Sequence, residues 1–198
     1  MTNKNKQKED NNMFKDSCVV MVDMQTRFLE SFEKHILNEL IENQKKLLLF
    51  CSKYNIPLIV LEYYHLGKTI KKIEKNFSKI SSVKIFEKFT DDGCLLSPID
   101  DKKRIITISE VFFSSLGKKT VIFAGVNKSV CVQQVAKRML QDGHTIATSL
   151  DIIADDKWVM KHLSDGYGLA EKEEIKNFWA KNGILTNHVS DLIEIITN

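Results

Sequence analysis

Cys131 is the residue of this sequence best placed to do chemistry. The apolar segment from Thr120 to Ala124 predicts a buried strand, and the residues after it lead into a predicted helix. In the first turn of a helix, unpaired backbone N–H groups and the helix dipole lower a thiol pKa from about 8.5 toward neutrality. We therefore expect Cys131 to be a nucleophile. The alternative, a small buried apolar residue, is the commoner role of a cysteine near a helix start.

Asp23 and Lys88 could act together with this thiol. Asp23 follows an apolar run from Cys18 to Val22. Lys88 ends another strand-like segment, 83–88. Continuous apolar runs are typical of strands in parallel sheets, whose carboxyl ends form one edge at which ligands bind. We expect all three side chains to meet in one crevice, with Asp23 as base and the Lys88 ammonium favouring the thiolate.

Attack of the thiolate on a carbonyl would place negative charge on the carbonyl oxygen. The backbone N–H groups of Val130 and Cys131 stand at the predicted helix start, where they are the natural donors to that oxygen. This arrangement predicts an oxyanion hole made from the nucleophile's own turn.

The rest of the chain alternates between strand and helix patterns. The predicted strands are 18–23, 58–62, 83–88, 120–124, 144–150 and 184–186. Predicted helices cover 35–53, 70–77, a short segment after 104–108 that ends at Gly117, a helix from an N-cap at Ser129 to Gly143, 171–181 and 190–196. This alternation implies right-handed crossovers and a parallel sheet covered by helices on both faces, an α/β fold.

Composition limits the partners of the protein. With 198 residues, 43% of them apolar, we expect one domain over 17–198 behind a disordered polar tail over 1–16. No apolar run approaches 18 residues and no secretory signal is present, so a cytoplasmic protein without membrane contact is expected. The net charge of +3 is too mild to indicate nucleic acid, and the four cysteines lack metal-finger or CxxC spacing.

Three segments resemble the signature segments of the isochorismatase-like cysteine hydrolases. They are Val19–Phe28, Phe86–Lys88 and Ala124–Val132, and the likeness extends from Cys18 to Thr197. The resemblance implies a Rossmann-like three-layer α/β/α fold with a six-stranded parallel sheet. It also implies oligomers, dimers or larger.

The resemblance also implies roles for individual residues. Asp23, Lys88 and Cys131 match the catalytic triad, and a cis peptide bond before the nucleophile would fall between Val126 and Asn127. The loop after Lys88, 89–94, departs from the family pattern, so Lys84 is the alternative lysine.

Position in the sequence suggests roles for several other side chains. Phe28 matches a family position in the substrate pocket, and a role in the core is equally open. Tyr64 is expected at the pocket entrance, together with Tyr63 or instead of it. Trp158 and Trp179 are expected to be packing residues. Structural roles are expected for Asp151 and Cys94.

The segment Leu61–Lys68 bears on metal binding. Metal-dependent relatives such as nicotinamidase carry an Asp-x-His pair and a further histidine here, whereas this segment has only His65, expected on the rim or surface. An open catalytic zinc site needs about three protein ligands, so we predict no metal and no other cofactor. In appearance the chain is closest to metal-free isochorismatase-domain proteins.

These observations predict a metal-independent cysteine hydrolase that cleaves a C–N bond of a small amide or carbamoyl compound through an acyl-enzyme on Cys131. True isochorismatases lack this cysteine, which favours attack on a carbonyl. The alternative is a catalytically impaired binding or oligomeric scaffold. A dinucleotide-binding oxidoreductase is disfavoured because the first strand-to-helix turn lacks a Gly-x-Gly sequence.

Overall fold

Eight strands form one central sheet in the described part of this computed structural model, which comprises residues 16–98, 105–115, 120–164 and 172–198. The strands are β1 (Ser17–Val22), β2 (Leu58–Tyr63), β3 (Val83–Lys88), β4 (Leu96–Pro98), β5 (Thr120–Val126), β6 (Thr145–Ser149), β7 (Ile153–Ala154) and β8 (Gly183–Thr186).

The helices of the described ranges connect these strands. They are α1 (Thr26–Leu29), α2 (Lys34–Tyr54), α3 (Lys71–Glu74), α4 (Ile108–Ser115), α5 (Gln133–Gln141), α6 (Lys157–Ser164), α7 (Lys172–Asn182) and α8 (Val189–Thr197). None of the described helices is long and apolar enough to cross a membrane.

The sheet has the order β4-β3-β2-β1-β5-β6-β8, with β7 beside β5. The six predicted strands are β1, β2, β3, β5, β6 and β8, and the pairings among them are parallel. The α/β fold is therefore confirmed. The predicted strand count was too low by two, because β4 returns antiparallel beside β3 and β7 adds two residues to β5. Strands this short carry almost no periodic signal in the sequence.

The central position of β1 explains its sequence. It lies between β2 and β5, with Val22 opposite Leu61 on one side and Gly125 on the other. Every residue of β1 is buried, as expected for a strand covered on both faces. Asp23, which follows β1, therefore lies at the edge of the sheet where β2 and β5 also end.

Two helix predictions needed correction. The predicted helix over 70–77 is broken into α3 and a 3-10 turn, Phe77–Lys79, because the side chain of Asn76 donates to the backbone oxygens of Lys72 and Ile73. Helix α6 was missed, although Asp156 provides a cap signal by accepting a hydrogen bond from Val159 N at 2.7 Å. Residues 1–15 of the predicted tail, Gly117 and Glu171 lie outside the described residues.

Gly125 allows β5 to approach β1 at the end that carries Asp23. Its φ is +136°, and a Cβ atom there would lie 2.1 Å from the carbonyl oxygen of Val22. A side chain at this position would force the two strand ends apart.

We expect Gly125→Ala to lower the free energy of unfolding by about 3 kcal/mol or more, the sum of backbone strain and a clash with main-chain atoms. Urea titration followed by circular dichroism measures the loss. Gly67→Ala is the control, since Gly67 also has positive φ but a Cβ atom there would meet nothing within 4 Å, and about 1 kcal/mol is expected. Equal losses in the two variants would show that the sheet absorbs the clash.

Candidate active site

Cys131 lies in a π-helical turn, Lys128–Val132, between β5 and α5. Asn127 reverses the chain before this turn in a left-handed conformation (φ 59°, ψ 57°). Its carbonyl oxygen accepts hydrogen bonds from Val130 N at 3.0 Å and Val132 N at 3.1 Å. Single π-helical turns of this kind are frequent at functional sites, because they re-aim a side chain within an otherwise regular helix.

The turn differs from the expected one in two ways. The described residues contain no cis peptide bond, so the prediction of one between Val126 and Asn127 was wrong. The chain changes direction at Asn127 instead, which adopts a left-handed conformation that asparagine tolerates. The N–H of Val130 was also predicted to be an oxyanion donor, but it is bonded to Asn127 O. Cys131 N–H is the remaining predicted donor.

Ser129 does not cap its own helix, contrary to prediction. Its N–H donates to Asp155 Oδ1 at 2.9 Å, and its hydroxyl donates to the other carboxylate oxygen. Asp155 follows β7, and burial raises its pKa although the Ser129 hydrogen bonds oppose this. The turn that carries Cys131 is therefore tied to the residue that follows β7.

Asp23 and Lys88 form an ion pair buried next to this turn. Lys88 Nζ lies 3.1 Å from Asp23 Oδ2, and both side chains are completely buried. The ammonium also lies 4.1 Å from the centre of the Tyr63 ring. Lys84, the alternative lysine, is exposed, so it does not take part in this pair.

Asp23 itself is under unusual constraint. It has left-handed backbone geometry (φ 56°), and its N–H donates to Leu61 O at 2.9 Å. Within the described residues, neither of its carboxylate oxygens accepts a hydrogen bond of normal geometry. A buried carboxylate with unused acceptor capacity is suited to receive a proton.

The three groups influence one another's protonation. Burial raises the pKa of Asp23 to about 6, although the charge of Lys88 opposes this rise. Burial alone would lower the pKa of Lys88, but the negative charges around it, led by Asp23, raise it above its usual value. At neutral pH the pair is therefore ionised.

The Cys131 thiol differs from its prediction. Its pKa is raised, first by burial and then by the negative charge of Asp23, whereas Lys88 has only a smaller opposing effect. Cys131 is only 3% exposed, so removing a charged sulfur from water outweighs the benefit of the helix start. The resting sulfur carries its proton.

A cavity of about 940 Å³ opens above the thiol. Its described lining consists of Arg27, Phe28, Glu30, Ser31, Tyr63, Leu66, Asp91, Asn127, Val130, Cys131, Asp156, Trp158, Val159 and His162. Phe28 belongs to this lining. Tyr64 does not, because Tyr63 occupies that wall while Tyr64 is exposed and packs on Phe89. The volume suits a small molecule.

One wall of the cavity is the loop that follows Lys88. Asp92 organises this loop by accepting hydrogen bonds from Thr90 Oγ1 at 2.7 Å and from Cys94 N at 3.0 Å. The loop presents Asp91, whose Oδ1 accepts a hydrogen bond from the Cys131 thiol (Sγ to Oδ1 3.5 Å). The sequence prediction assigned no role to Asp91.

Helix α6 forms another wall. Trp158, predicted to be a packing residue, is 61% exposed, lines the cavity and stacks on His162 with ring centres 4.0 Å apart. Trp179 is buried as expected. Helix α6 buries the adjacent Val159 and leaves Trp158 on its exposed side, which the apolar character of Trp158 alone does not reveal.

Gln25 supports the site from behind, and sequence reasoning missed it. Its side chain accepts from Tyr63 N at 2.6 Å and donates to Tyr63 O at 2.9 Å and to Gly67 O at 2.6 Å. These bonds fix the end of β2 and therefore the tyrosine beside Lys88. The available signal in the sequence was a glutamine two residues after Asp23, and the fold shows that it is fully buried.

The remaining predicted residues lie outside the cavity lining. Asp151 accepts hydrogen bonds from Ser149 Oγ and Val189 N, a structural role. Cys94 is half-buried, and His65 is exposed. In the described ranges, no three potential ligands among His, Cys, Asp and Glu are grouped to hold a metal ion.

Comparison with known proteins identifies the family. An isochorismatase domain model matches residues 17–155. Isochorismatase family protein 1A of Dictyostelium discoideum is 24% identical over 144 residues, which are 71% of this chain and 64% of the relative. The chain thus spans less than two thirds of the length of the curated relatives it matches.

Solved structures share the fold. The MAR1 ribonuclease of Caenorhabditis elegans has a TM-score of 0.68 at 20% identity, covering 91% of this chain and 80% of that one. A cysteine hydrolase of Pseudomonas syringae has a TM-score of 0.67 at 15% identity, covering 94% and 93%. Because the domain match covers well over half of the sequence, this chain belongs to the isochorismatase family.

Proposed function

We propose that the protein is a metal-independent cysteine hydrolase that cleaves a C–N bond of a small amide or carbamoyl substrate. One observation carries this proposal: the buried Asp23–Lys88 pair, 3.1 Å apart, next to a thiol that lines a cavity of about 940 Å³. A carboxylate base, a cation and a nucleophile in that arrangement provide each group that acyl transfer requires.

Acylation begins from a protonated thiol. Asp23, ionised at neutral pH, takes the thiol proton while the sulfur attacks the carbonyl carbon, and the carbonyl electron pair moves onto oxygen. The N–H of Cys131 donates to that oxygen. The C–N bond then breaks, Asp23 returns the proton to the leaving nitrogen, and a thioester remains on Cys131.

Deacylation reverses the roles of these groups. Water attacks the thioester carbonyl while Asp23 accepts one of its protons, and collapse of the intermediate breaks the C–S bond. The proton then passes to the departing sulfur, so acid product leaves and the thiol is restored. Lys88 keeps Asp23 ionised between these steps, because its charge opposes the effect of burial on the Asp23 pKa.

RNA cleavage is the competing function, since a neighbour in fold is a ribonuclease. The cavity lining argues against it. Three carboxylates line the cavity: Glu30, Asp91 and Asp156. Among the described arginines and lysines, Arg27 alone belongs to the lining, and it lies 3.3 Å from Glu30. A phosphate backbone needs positive charge for binding. We therefore propose a small-molecule substrate without nucleic acid or membrane contact.

Replacing the nucleophile tests the proposal. We expect Cys131→Ala and Cys131→Ser to lose about 10³-fold or more in kcat/KM, because no acyl-enzyme forms. A panel of small amides, carbamoyl compounds and a short RNA would be followed by amine release, with intact mass spectrometry to detect the thioester. Cys94→Ser is the control and should keep full activity.

The same panel decides between the alternatives. Full amide hydrolysis by Cys131→Ala would exclude the proposed nucleophile. Cleavage of RNA alone would favour the ribonuclease function. Tight binding of a panel compound by the wild-type protein, without any turnover, would favour the scaffold alternative.

The base assignment predicts a pH dependence. Asp23 acts in its ionised form and has a pKa of about 6, so kcat/KM should rise with pH through about 6. Lys88→Met removes the charge that lowers this pKa, and the rising limb should move upward by about one pH unit or more. Lys84→Met, which removes an exposed lysine of the same strand, should leave the limb in place. A limb unmoved by Lys88→Met would show that another group is the base.

Assembly and location remain predictions. The family resemblance predicts a dimer or larger homo-oligomer, which size-exclusion chromatography with light scattering would detect as a mass of at least twice 22.8 kDa. Elution at the monomer mass would contradict it. A cytoplasmic location is likewise proposed.

A further inference from the structure

Asp91 is placed against the reactive sulfur by an internally hydrogen-bonded loop. Asp92 holds the loop through Thr90 and Cys94, and Asp91 Oδ1 lies 3.5 Å from Cys131 Sγ. Among the described residues, Asp91 forms no ion pair. A second carboxylate beside a thiol opposes formation of the thiolate, so its position works against the unliganded nucleophile.

The surrounding cavity is short of positive charge. Arg27 is paired with Glu30, and Asp156 is engaged in capping α6 through Val159 N. Among the described carboxylates of the lining, Asp91 has neither a cation nor a helix end as partner. Its Oδ1 accepts only from the Cys131 thiol, so its charge is available to a ligand although the protein as a whole carries +3. A pocket whose charge opposes that of the whole chain concentrates cations.

The cavity walls also suit a cation. Phe28, Tyr63 and Trp158 all line it, and the faces of aromatic rings attract positively charged nitrogen. Asn127 adds an acceptor: it is 5% exposed, it lines the cavity, and its Oδ1 has no hydrogen-bond partner within the described ranges. A buried unpartnered oxygen of this kind points to a ligand donor.

From these contacts we infer that Asp91 is a specificity-determining residue that selects substrates bearing a cationic nitrogen close to the scissile carbonyl. The inference rests on the proposed function, because it assumes that the substrate reaches Cys131. In the complex, the substrate cation lies between the Asp91 carboxylate and the aromatic walls, and Asn127 Oδ1 accepts one of its N–H groups or that of the amide. The cation also offsets the negative charge that disfavours the thiolate.

Charged thiol reagents test this selection without requiring turnover. Three methanethiosulfonates would be compared: trimethylammonium-ethyl (cationic), methyl (neutral) and sulfonatoethyl (anionic). In each reaction the Cys131 sulfur displaces methanesulfinate and forms a mixed disulfide, and the thiol proton passes to Asp23 or solvent. The background is Cys94→Ser, since Cys18 and Cys51 are completely buried. Peptide mass spectrometry follows Cys131, and each rate is divided by that of a free thiol.

We expect the cationic reagent to react about tenfold faster than the neutral one after this correction, and the anionic reagent about tenfold slower. Asp91→Asn should reduce each ratio to about threefold or less. Asp91→Glu should retain most of the preference. Expressing rates relative to the neutral reagent cancels any change in the thiol pKa. Glu74→Gln, the same charge change on the exposed face of α3, should leave the ratios unchanged.

Equal corrected rates in the parent protein, or ratios unchanged by Asp91→Asn in a variant with native circular dichroism, would overturn the inference. So would failure of all three reagents to modify Cys131, because a ligand could then not reach Asp91. Loss of the proposed hydrolase activity would test the proposed function and not this inference. Absence of amide turnover, with the charge preference intact and dependent on Asp91, would leave a cation-selective site without the proposed reaction.

Discussion

The buried ion pair between Asp23 and Lys88 is the constraint on which the rest of the site depends. Taking both charges out of water costs several kcal/mol per ion before their attraction is counted, and the two have little other hydrogen bonding to offset that cost. Removing one partner alone would leave the other charged and buried, which typically costs about 3–5 kcal/mol. Such a pair needs a rigid setting, and the three adjacent strands β1, β2 and β3 provide it.

The backbone is strained where these strands end. Asp23 and Asn127 both adopt left-handed geometry, one after β1 and one after β5, and Gly125 lets the two strands come close between them. Each left-handed residue costs of order 1 kcal/mol or more, which the packed sheet must offset. The result is that Asp23 and the turn that carries Cys131 leave neighbouring strands at the same level, with Asp23 buried behind the cavity that Cys131 lines.

Sequence reasoning could find what depends on long local patterns. The apolar runs predicted the six parallel strands, and the rule that parallel strands end at one edge is sufficient to place Asp23, Lys88 and Cys131 near one another. What it missed depends on backbone geometry and burial, which apolar runs do not report. The Asn127 turn with its trans bond, the side of α6 that exposes Trp158, and the rise in the Cys131 pKa all follow from burial and packing.

The raised thiol pKa changes how the site must work. A preformed thiolate would react with many electrophiles, whereas a thiol between Asp23 and Asp91 becomes nucleophilic only as its proton leaves. Under the proposed mechanism, proton transfer to Asp23 is therefore coupled to attack. A cationic substrate nitrogen beside Asp91 lowers the cost of that step only when the substrate is bound, so binding and activation of the nucleophile become one event. In these two proposals the carboxylates have separate tasks: Asp23 moves the proton, and Asp91 selects the molecule for which the proton moves.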